Sequence, residues 1–141
     1  MAAGTWAFVN STRTKILDGT LASGGSFKIA LYTSSASVSA SSTLYSGLSG
    51  EVGTTNTGYT TGGIAITPVL SGTTSVTFKG NNPQWTAGSA GLSAQVAVLY
   101  QSTNSQILAY VLLDSGGATV TATSGNTLTI DITTNPVFTL A

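Results

Sequence analysis

The stretch QVAVLYQSTNSQILAYVLLD, residues 95–114, decides the fold of this chain. It consists of two apolar runs, VAVLY and ILAYVLL, on either side of a short polar loop that contains Asn104. Apolar runs of this length, rich in Val, Ile, Leu and Tyr and bounded by turn-forming residues, are typical of paired strands. The stretch therefore predicts a β-hairpin.

Both faces of the predicted hairpin are apolar. In the first run Val96, Val98 and Tyr100 alternate with Ala97 and Leu99. In the second run, strict alternation places Ile107, Ala109, Val111 and Leu113 on one face and Leu108, Tyr110 and Leu112 on the other. A strand with one solvated face alternates apolar and polar residues, so these strands are expected to be buried on both faces. One face belongs to the core, and the other needs a second layer, a covering segment or a neighbouring subunit.

The composition favours a protein that associates with other proteins. The 141 residues predict a single β domain, residues 1–141, and only 6% of them are charged, with no net charge. Soluble domains usually contain about 25% charged residues. A surface with so little charge has little electrostatic repulsion to keep copies apart. The 41% hydrophobic content indicates a folded chain rather than a disordered one.

The same composition excludes several classes of function. The chain has no excess of basic residues, so we expect no nucleic-acid binding. It has no apolar run of about 18 residues, so we expect no membrane span. The start, MAAGTWAFVN, lacks the basic segment and apolar core of a signal peptide. Without Cys or His, thiol chemistry and the commonest general base and metal ligand are missing.

The first part of the chain predicts an N-terminal arm or helix, one strand and a long loop. Residues 6–17 (WAFVNSTRTKIL) have approximate helical spacing and stop at DG, so residues 1–24 are interpreted as a helix or an extended arm. Residues 26–33 (SFKIALYT) alternate as a strand. Residues 34–58 form a long loop rich in Ser, Thr and Gly. A loop this long is expected to be functional or packed against a partner.

The remaining sequence predicts further short strands separated by turns. The predicted strands are residues 63–70, 73–79, 90–100, 107–113, 118–123, 127–132 and 137–140. Pro68 cannot donate a hydrogen bond to a neighbouring strand, which predicts a sheet edge or a bulge at that position. About eight strands with frequent turn signals indicate an all-β fold, an antiparallel β-sandwich or jelly-roll-like structure with a short N-terminal helix or arm.

The charged residues do not form a recognisable catalytic or metal-binding motif. The acids are Asp18, Glu51, Asp114 and Asp131, and they are far apart in sequence. Asp114 opens the turn DSGG, where an Asp caps backbone N–H groups. The glycine-rich stretch GYTTGG, residues 58–63, lacks the Lys and the helix of a phosphate-binding loop. We therefore predict no enzyme activity, no catalytic residue, no cofactor and no metal.

The aromatic residues allow two interpretations. Trp6, Trp85 and the five Tyr residues could form a stacking platform for a sugar or a base, but they are spread along the chain. Trp85 is more typical of a core or interface anchor. The predicted interface residues are Trp6, Phe8, Val38, Leu44, Tyr45, Leu48 and Trp85.

The order of motifs resembles a family of small all-β virion structural proteins of tailed bacteriophages. The motifs are KILDGTL, FKIALYTS, GYTTGGIAI, NNPQWT, AVLY, ILAYVLLDSGG and SGNTLTI, with Tyr45 and Glu51 in the loop after the second motif and Phe78 in the strand before NNPQWT. Together they cover most of the chain. Each motif is loose, and the specificity lies in their order and spacing.

The resemblance implies a multicopy structural component of the virion with no catalytic residues. The expected role is a capsid decoration or cement protein that acts as a homo-oligomer, a dimer or trimer, and binds the major capsid protein or other virion proteins. The expected location is the capsid exterior, with the host cytoplasm during assembly. The alternatives are a tail, neck or fibre-base protein, a carbohydrate-binding β-sandwich that uses Trp85 and the tyrosines, and a small glycosidase that uses Asp114 or Asp131.

Overall fold

The computed structural model describes residues 3–21 and 24–141 and confirms an all-β protein with a short helix. The elements in chain order are β1 (Ala7–Phe8), α1 (Thr12–Leu17), β2 (Phe27–Tyr32), β3 (Ile64–Ile66), β4 (Pro68–Ser71), β5 (Val76–Gly80), β6 (Gln84–Thr86), β7 (Leu92–Ala94), β8 (Val96–Gln101), β9 (Gln106–Leu112), β10 (Val120–Ala122), β11 (Thr127–Thr129) and β12 (Phe138–Leu140). A single 3-10 turn, Tyr45–Gly47, lies in the long loop. The described strands outnumber the predicted ones because two predicted strands divide, at Thr67 and at Gln95, and because β1 and β6 were not predicted as strands.

A five-stranded antiparallel sheet with the order β1-β9-β8-β2-β3 lies at the centre of the molecule. The predicted hairpin forms β8 and β9, and all six residues of β8 are buried. The other strands form a three-stranded sheet, β12-β5-β4, and two pairs, β11-β6 and β10-β7. The smaller sheets cover one face of the central sheet and the long loop covers the other, so both faces are buried, as the apolar pattern of the hairpin predicts.

The first core fills the space between the central sheet and the smaller sheets. It includes Ile29 and Leu31 from β2 and Leu99 from β8, all with no exposed surface. Phe27 packs edge-on against Phe78 with 5.5 Å between ring centroids. These contacts across the two layers make the fold sandwich-like.

A β-bulge in β9 corrects the predicted alternation of the second hairpin strand. Tyr100 pairs with Ile107 and Leu99 pairs with Ala109, so Leu108 is an extra residue opposite them. Both Leu108 and Ala109 contribute to the first core, whereas Ile107 packs on the opposite face. The prediction that Ile107 and Ala109 share a face was wrong because a bulge shifts the alternation by one residue.

The N-terminal segment is an edge strand followed by one short helix. Only Thr12–Leu17 of the predicted helix 6–17 is helical, because Ala7 and Phe8 pair with the open edge of β9 instead. The Thr12 hydroxyl donates to the carbonyl of Leu108 at 2.5 Å, which joins the helix to the bulge. Residues 1–2 and 22–23 of the predicted arm lie outside the described residues.

The turn chemistry agrees with the sequence at two positions. Pro68 begins β4, which is an edge strand of its sheet, as predicted. Asp114 Oδ2 accepts hydrogen bonds from the N–H groups of Gly116 at 3.1 Å and Ala118 at 3.2 Å. The carboxylate therefore stabilises the turn after β9.

Candidate interaction surfaces

The second face of the central sheet is covered by the long loop of the same chain. The buried residues on this face, the second core, are Val9, Ala30, Tyr32, Val96, Val98, Tyr100 and Ile107. Ala36, Val38, Tyr45 and Leu48 pack against them as partly buried residues. The covering segment is thus the Ser-rich loop, together with Val9 of the N-terminal segment, and no second copy is needed for this face.

Backbone hydrogen bonds hold the loop to the sheet along its length. Tyr45 N–H donates to the carbonyl of Ser105 at 2.8 Å, and Ile107 N–H donates to Thr43 at 3.0 Å. Thr33 N–H donates to Gly50 at 2.8 Å where the loop returns beside β2. We call residues 34–51 the covering loop.

The Glu51 carboxylate fixes the C-terminal end of the covering loop through three hydrogen bonds. It accepts hydrogen bonds from the hydroxyl of Tyr45 at 2.7 Å, the hydroxyl of Tyr59 at 2.6 Å and the N–H of Gly62 at 2.7 Å. The Tyr45 and Tyr100 rings stack with 4.2 Å between their centroids. The acid at the end of the loop therefore connects the loop, the GYTTGG turn and the central sheet.

The Tyr59 hydroxyl also satisfies the backbone of β2. The N–H of Leu31 donates to it at 3.1 Å in a buried position, beyond the point where β3 stops pairing with β2. Val52 N–H donates to the carbonyl of Leu31 at 3.0 Å. The Tyr59 hydroxyl and the Val52 N–H thus provide Leu31 with the hydrogen-bond partners that a longer β3 would supply.

Tyr45, Tyr59 and Tyr100 are neutral hydrogen-bond donors, and Tyr32 is a neutral buried residue of the second core. Burial raises the pKa of Tyr32, Tyr45, Tyr59 and Tyr100 above the ordinary value, and the nearby Glu51 carboxylate raises each pKa further. Desolvation and a neighbouring negative charge both disfavour a phenolate. The cluster is suited to fixing the covering loop and unsuited to proton transfer near neutral pH.

Four of the predicted interface residues lie together in the covering loop. Val38, Tyr45 and Leu48 are half-buried on the second core, and Leu44 beside them is 39% exposed. Leu44 forms an isolated β-bridge with Gln106. Much of their apolar surface is used inside the chain, and a contact of these residues with another protein stays a prediction.

The predicted aromatic contacts lie elsewhere. Trp6 and Phe8 are half-buried against the first core, at the edge of the central sheet. Phe8 contacts the Phe138 ring edge-on at 4.8 Å, and the guanidinium of Arg13 lies 5.5 Å from the Phe8 ring centroid. The structure therefore does not bring Trp6 and Phe8 to the covering loop.

Trp85 is a core residue with 3% of its surface exposed. It sits in β6 opposite Leu128, and its ring lies 6.4 Å from that of Tyr59, which is also 3% exposed. This position is that of a core residue and not that of an exposed stacking platform. Rings buried to this extent have no free face for a stacked sugar, so Trp85 and Tyr59 offer no stacking surface.

The acidic residues considered for catalysis stabilise separate turns. Hydrogen bonds from Thr20 lower the pKa of Asp18, and hydrogen bonds led by the Thr134 N–H lower the pKa of Asp131. A general acid of a glycosidase needs the opposite, a raised pKa. No group of three or more His, Cys, Asp or Glu residues is placed to hold a metal in residues 3–21 and 24–141.

An apolar groove that the sequence did not reveal opens between α1 and the three-stranded sheet. Its volume is about 220 Å³ and its lining residues are Ile16, Leu21, Phe27, Leu70, Val76, Phe78, Leu108, Phe138 and Leu140. Leu70 and Leu140 are 48% and 44% exposed, and Leu17, which follows Ile16 on the helix, is 89% exposed. Contiguous exposed apolar surface of this kind often marks a protein interaction site.

The groove arises because the inner face of the three-stranded sheet extends beyond its cover. Leu70 pairs with Phe78, and Leu140 pairs with Val76, so these side chains share one face. The Phe78 end of this face lies in the first core, and the Leu140 end is open among the described residues. Leu17 is not part of the groove lining and lies on an exposed part of α1, where the neighbouring Lys15 and Asp18 form an exposed ion pair at 3.7 Å.

Comparison with models of known protein families, with curated proteins and with solved structures gave no significant match. Within the residues that the structure describes, no helix has the length and apolar character needed to cross a membrane.

Proposed function

We propose that this protein is a non-enzymatic structural protein of a tailed-phage virion, a decoration or cement protein that binds the exterior of the capsid. The observation that carries the proposal is the apolar groove with exposed Leu70 and Leu140 on a chain that has only 6% charged residues. The motif order of the sequence, which resembles virion structural proteins, supplies the biological setting.

The groove is suited to receive an apolar side chain of a capsid protein. Two of its leucines are close to half exposed, and burying them would remove apolar area from water, which stabilises a complex by about 25 cal/mol per Å².

The groove is small, so we propose that binding depends on multiple copies. A dimer or trimer of this chain would carry two or three grooves. The capsid lattice would offer the same contact position many times, so several grooves could bind at once. Linked weak contacts raise the overall affinity by about 10²–10⁴ without a stronger single contact. A cement function follows, because each bound oligomer would connect neighbouring major capsid subunits.

Two neighbouring positions of β4 provide a matched test. Leu70 lies in the groove and is 48% exposed, whereas Val69 is 53% exposed and pairs with Lys79 on the opposite face. Leu70→Lys should abolish binding to purified heads that lack this protein, because it places a charge in the groove. Val69→Lys changes the same strand by the same charge and should bind as the unmodified protein does.

Circular dichroism of both variants would establish that they fold. Equal binding of folded Leu70→Lys and Val69→Lys would remove the groove as the contact site. Failure of the unmodified protein to bind heads, together with its recovery in purified tails, would favour the tail, neck or fibre-base alternative. The copy number per particle separates the same two locations, since hundreds of copies are expected only on the head.

A further inference from the structure

A second cleft lies at the β1–β9 edge of the central sheet, between the N-terminal residues and the C-terminal segment. Its volume is about 600 Å³, and its lining residues are Ala3–Trp6, Val111, Leu113, Val120, Leu128–Asp131 and Asn135–Val137. Small-molecule sites usually have volumes of about 300–1,000 Å³ and combine apolar walls with a few polar groups. The cleft belongs to neither the covering loop nor the apolar groove.

Hydrogen bonds fix both walls of the cleft. On one side the N–H of Gly4 donates to the carbonyl of Leu112 at 2.9 Å, which ties the N-terminal residues to β9. On the other side Ile130 N–H donates to the carbonyl of Pro83 at 3.1 Å, and Val137 N–H donates to Phe78 at 2.9 Å. The cleft is therefore preformed, so a ligand would not have to order its walls.

The lining combines an aromatic side chain with hydroxyl, amide and carboxylate groups. Trp6 is half-buried on one wall, and Thr5, Thr129, Asp131 and Asn135 are exposed around it. Trp offers a flat apolar face together with one N–H donor. A hydroxylated ligand with one apolar face matches this set of groups.

Asp131 and Asn135 keep free hydrogen-bonding capacity. Asp131 Oδ1 accepts from the N–H groups of Thr133 and Thr134 at 3.1 and 3.0 Å, and Oδ2 accepts from the Asn135 side-chain N–H at 3.1 Å. A carboxylate has about four acceptor positions, and an amide has two donors and an acceptor. The pair can therefore bind two adjacent hydroxyl groups.

We propose that this cleft binds a sugar residue of a glycan, with Trp6 stacked on its apolar face and with Asp131 and Asn135 bound to its hydroxyl groups. Asp131 is the charged residue of the lining, so an anionic ligand is disfavoured. The proposal goes beyond the capsid function, since the cleft and the groove are separate surfaces, and failure of either leaves the other standing.

Nuclear magnetic resonance of the indole N–H signals provides the test. The chain has two Trp residues, and Trp85 is 3% exposed, so it serves as an internal reference. We would titrate the intact protein with glucose, galactose, mannose, N-acetylglucosamine, maltose, lactose and chitobiose. At least one of these sugars should shift the Trp6 signal and leave the Trp85 signal unchanged. Trp6→Phe assigns the two signals.

Two acid-to-amide variants complete the design. Asp131→Asn keeps an oxygen that can accept from Thr133 and Thr134, and it should weaken binding of the sugar about tenfold or more, because hydrogen bonds to a charged group are the stronger ones. Asp114→Asn makes the same change in a turn outside the cleft and should leave the affinity unchanged. The proposal is overturned if no sugar shifts the Trp6 signal up to its solubility limit, or if Asp131→Asn and Asp114→Asn bind equally.

Discussion

Tyr59→Phe tests how the covering loop and the central sheet are joined. The substitution removes one hydroxyl and keeps the ring, so the packing of the first core is preserved. That hydroxyl donates to Glu51 at 2.6 Å and accepts from the buried N–H of Leu31 at 3.1 Å. Tyr45→Phe is the matched control, since its hydroxyl donates to the same carboxylate at 2.7 Å and accepts no hydrogen bond from the buried backbone of β2.

The two substitutions differ in the polar groups that they leave without a hydrogen-bond partner. Loss of a hydrogen bond to a charged group costs about 1.5–3 kcal/mol, which applies to both variants. Tyr59→Phe also leaves the Leu31 N–H buried without an acceptor, which costs about 1–3 kcal/mol more. We expect Tyr59→Phe to lower the free energy of unfolding by about 2.5–6 kcal/mol, a large share of the roughly 5–15 kcal/mol of a typical domain.

Urea unfolding followed by circular dichroism measures both values. The midpoint should fall further for Tyr59→Phe than for Tyr45→Phe, with an unchanged slope, because the amount of surface exposed on unfolding stays the same. Tyr110→Phe, in a half-buried tyrosine of β9, serves as a second control. Equal losses for Tyr59→Phe and Tyr45→Phe would refute the role assigned to the Leu31 N–H.

Three further predictions concern stability. Gly63→Ala should prevent folding, because Gly63 has φ +74° and a Cβ there would overlap the Ile29 carbonyl, and expression as soluble protein measures this. Ile107→Ala should lower the free energy of unfolding by about 2–5 kcal/mol, measured in urea, since it opens a cavity in the second core; an unchanged midpoint would contradict the two-sided burial of β9. Asp131 has a pKa below its usual 3.8, so its ionised form adds stability that is present above pH 3.8 and is lost as the pH falls through the folded-state pKa. Asp131→Asn should therefore differ from the unmodified protein at pH 7 and converge with it in acid, and a difference that is constant with pH would contradict this.

The hairpin was predictable because its pattern is local. Period-two alternation in β8 assigns Val98 and Leu99 to opposite faces without reference to the rest of the chain. The bulge at Leu108 was not predictable, since the groups that donate to the Leu108 carbonyl, the Val9 N–H and the Thr12 hydroxyl, are distant in sequence. Ala7 and Phe8 are extended because their pairing with the edge of β9 outweighs the weak helical pattern of residues 6–17.

The candidate surfaces were predictable only in part. The sequence indicated that the Ser-rich loop covers something, but it left open whether the covered surface belonged to this chain or to a partner. Glu51 is a single acid in a polar stretch, and only the fold brings Tyr45 and Tyr59 to it. Leu70 and Leu140 follow ordinary strand alternation, and their exposure results from how far the sheets overlap, which no local pattern records.

An image of the particle by cryo-electron microscopy tests the central proposal most directly. We expect density for many copies of this sandwich-like protein on the outer surface of the head, with the groove lined by Leu70 and Leu140 facing the major capsid protein. The covering loop should lie on its own sheet, as it does in the isolated chain. Density confined to the tail, or a groove that faces solvent in every copy on the head, would contradict the proposal.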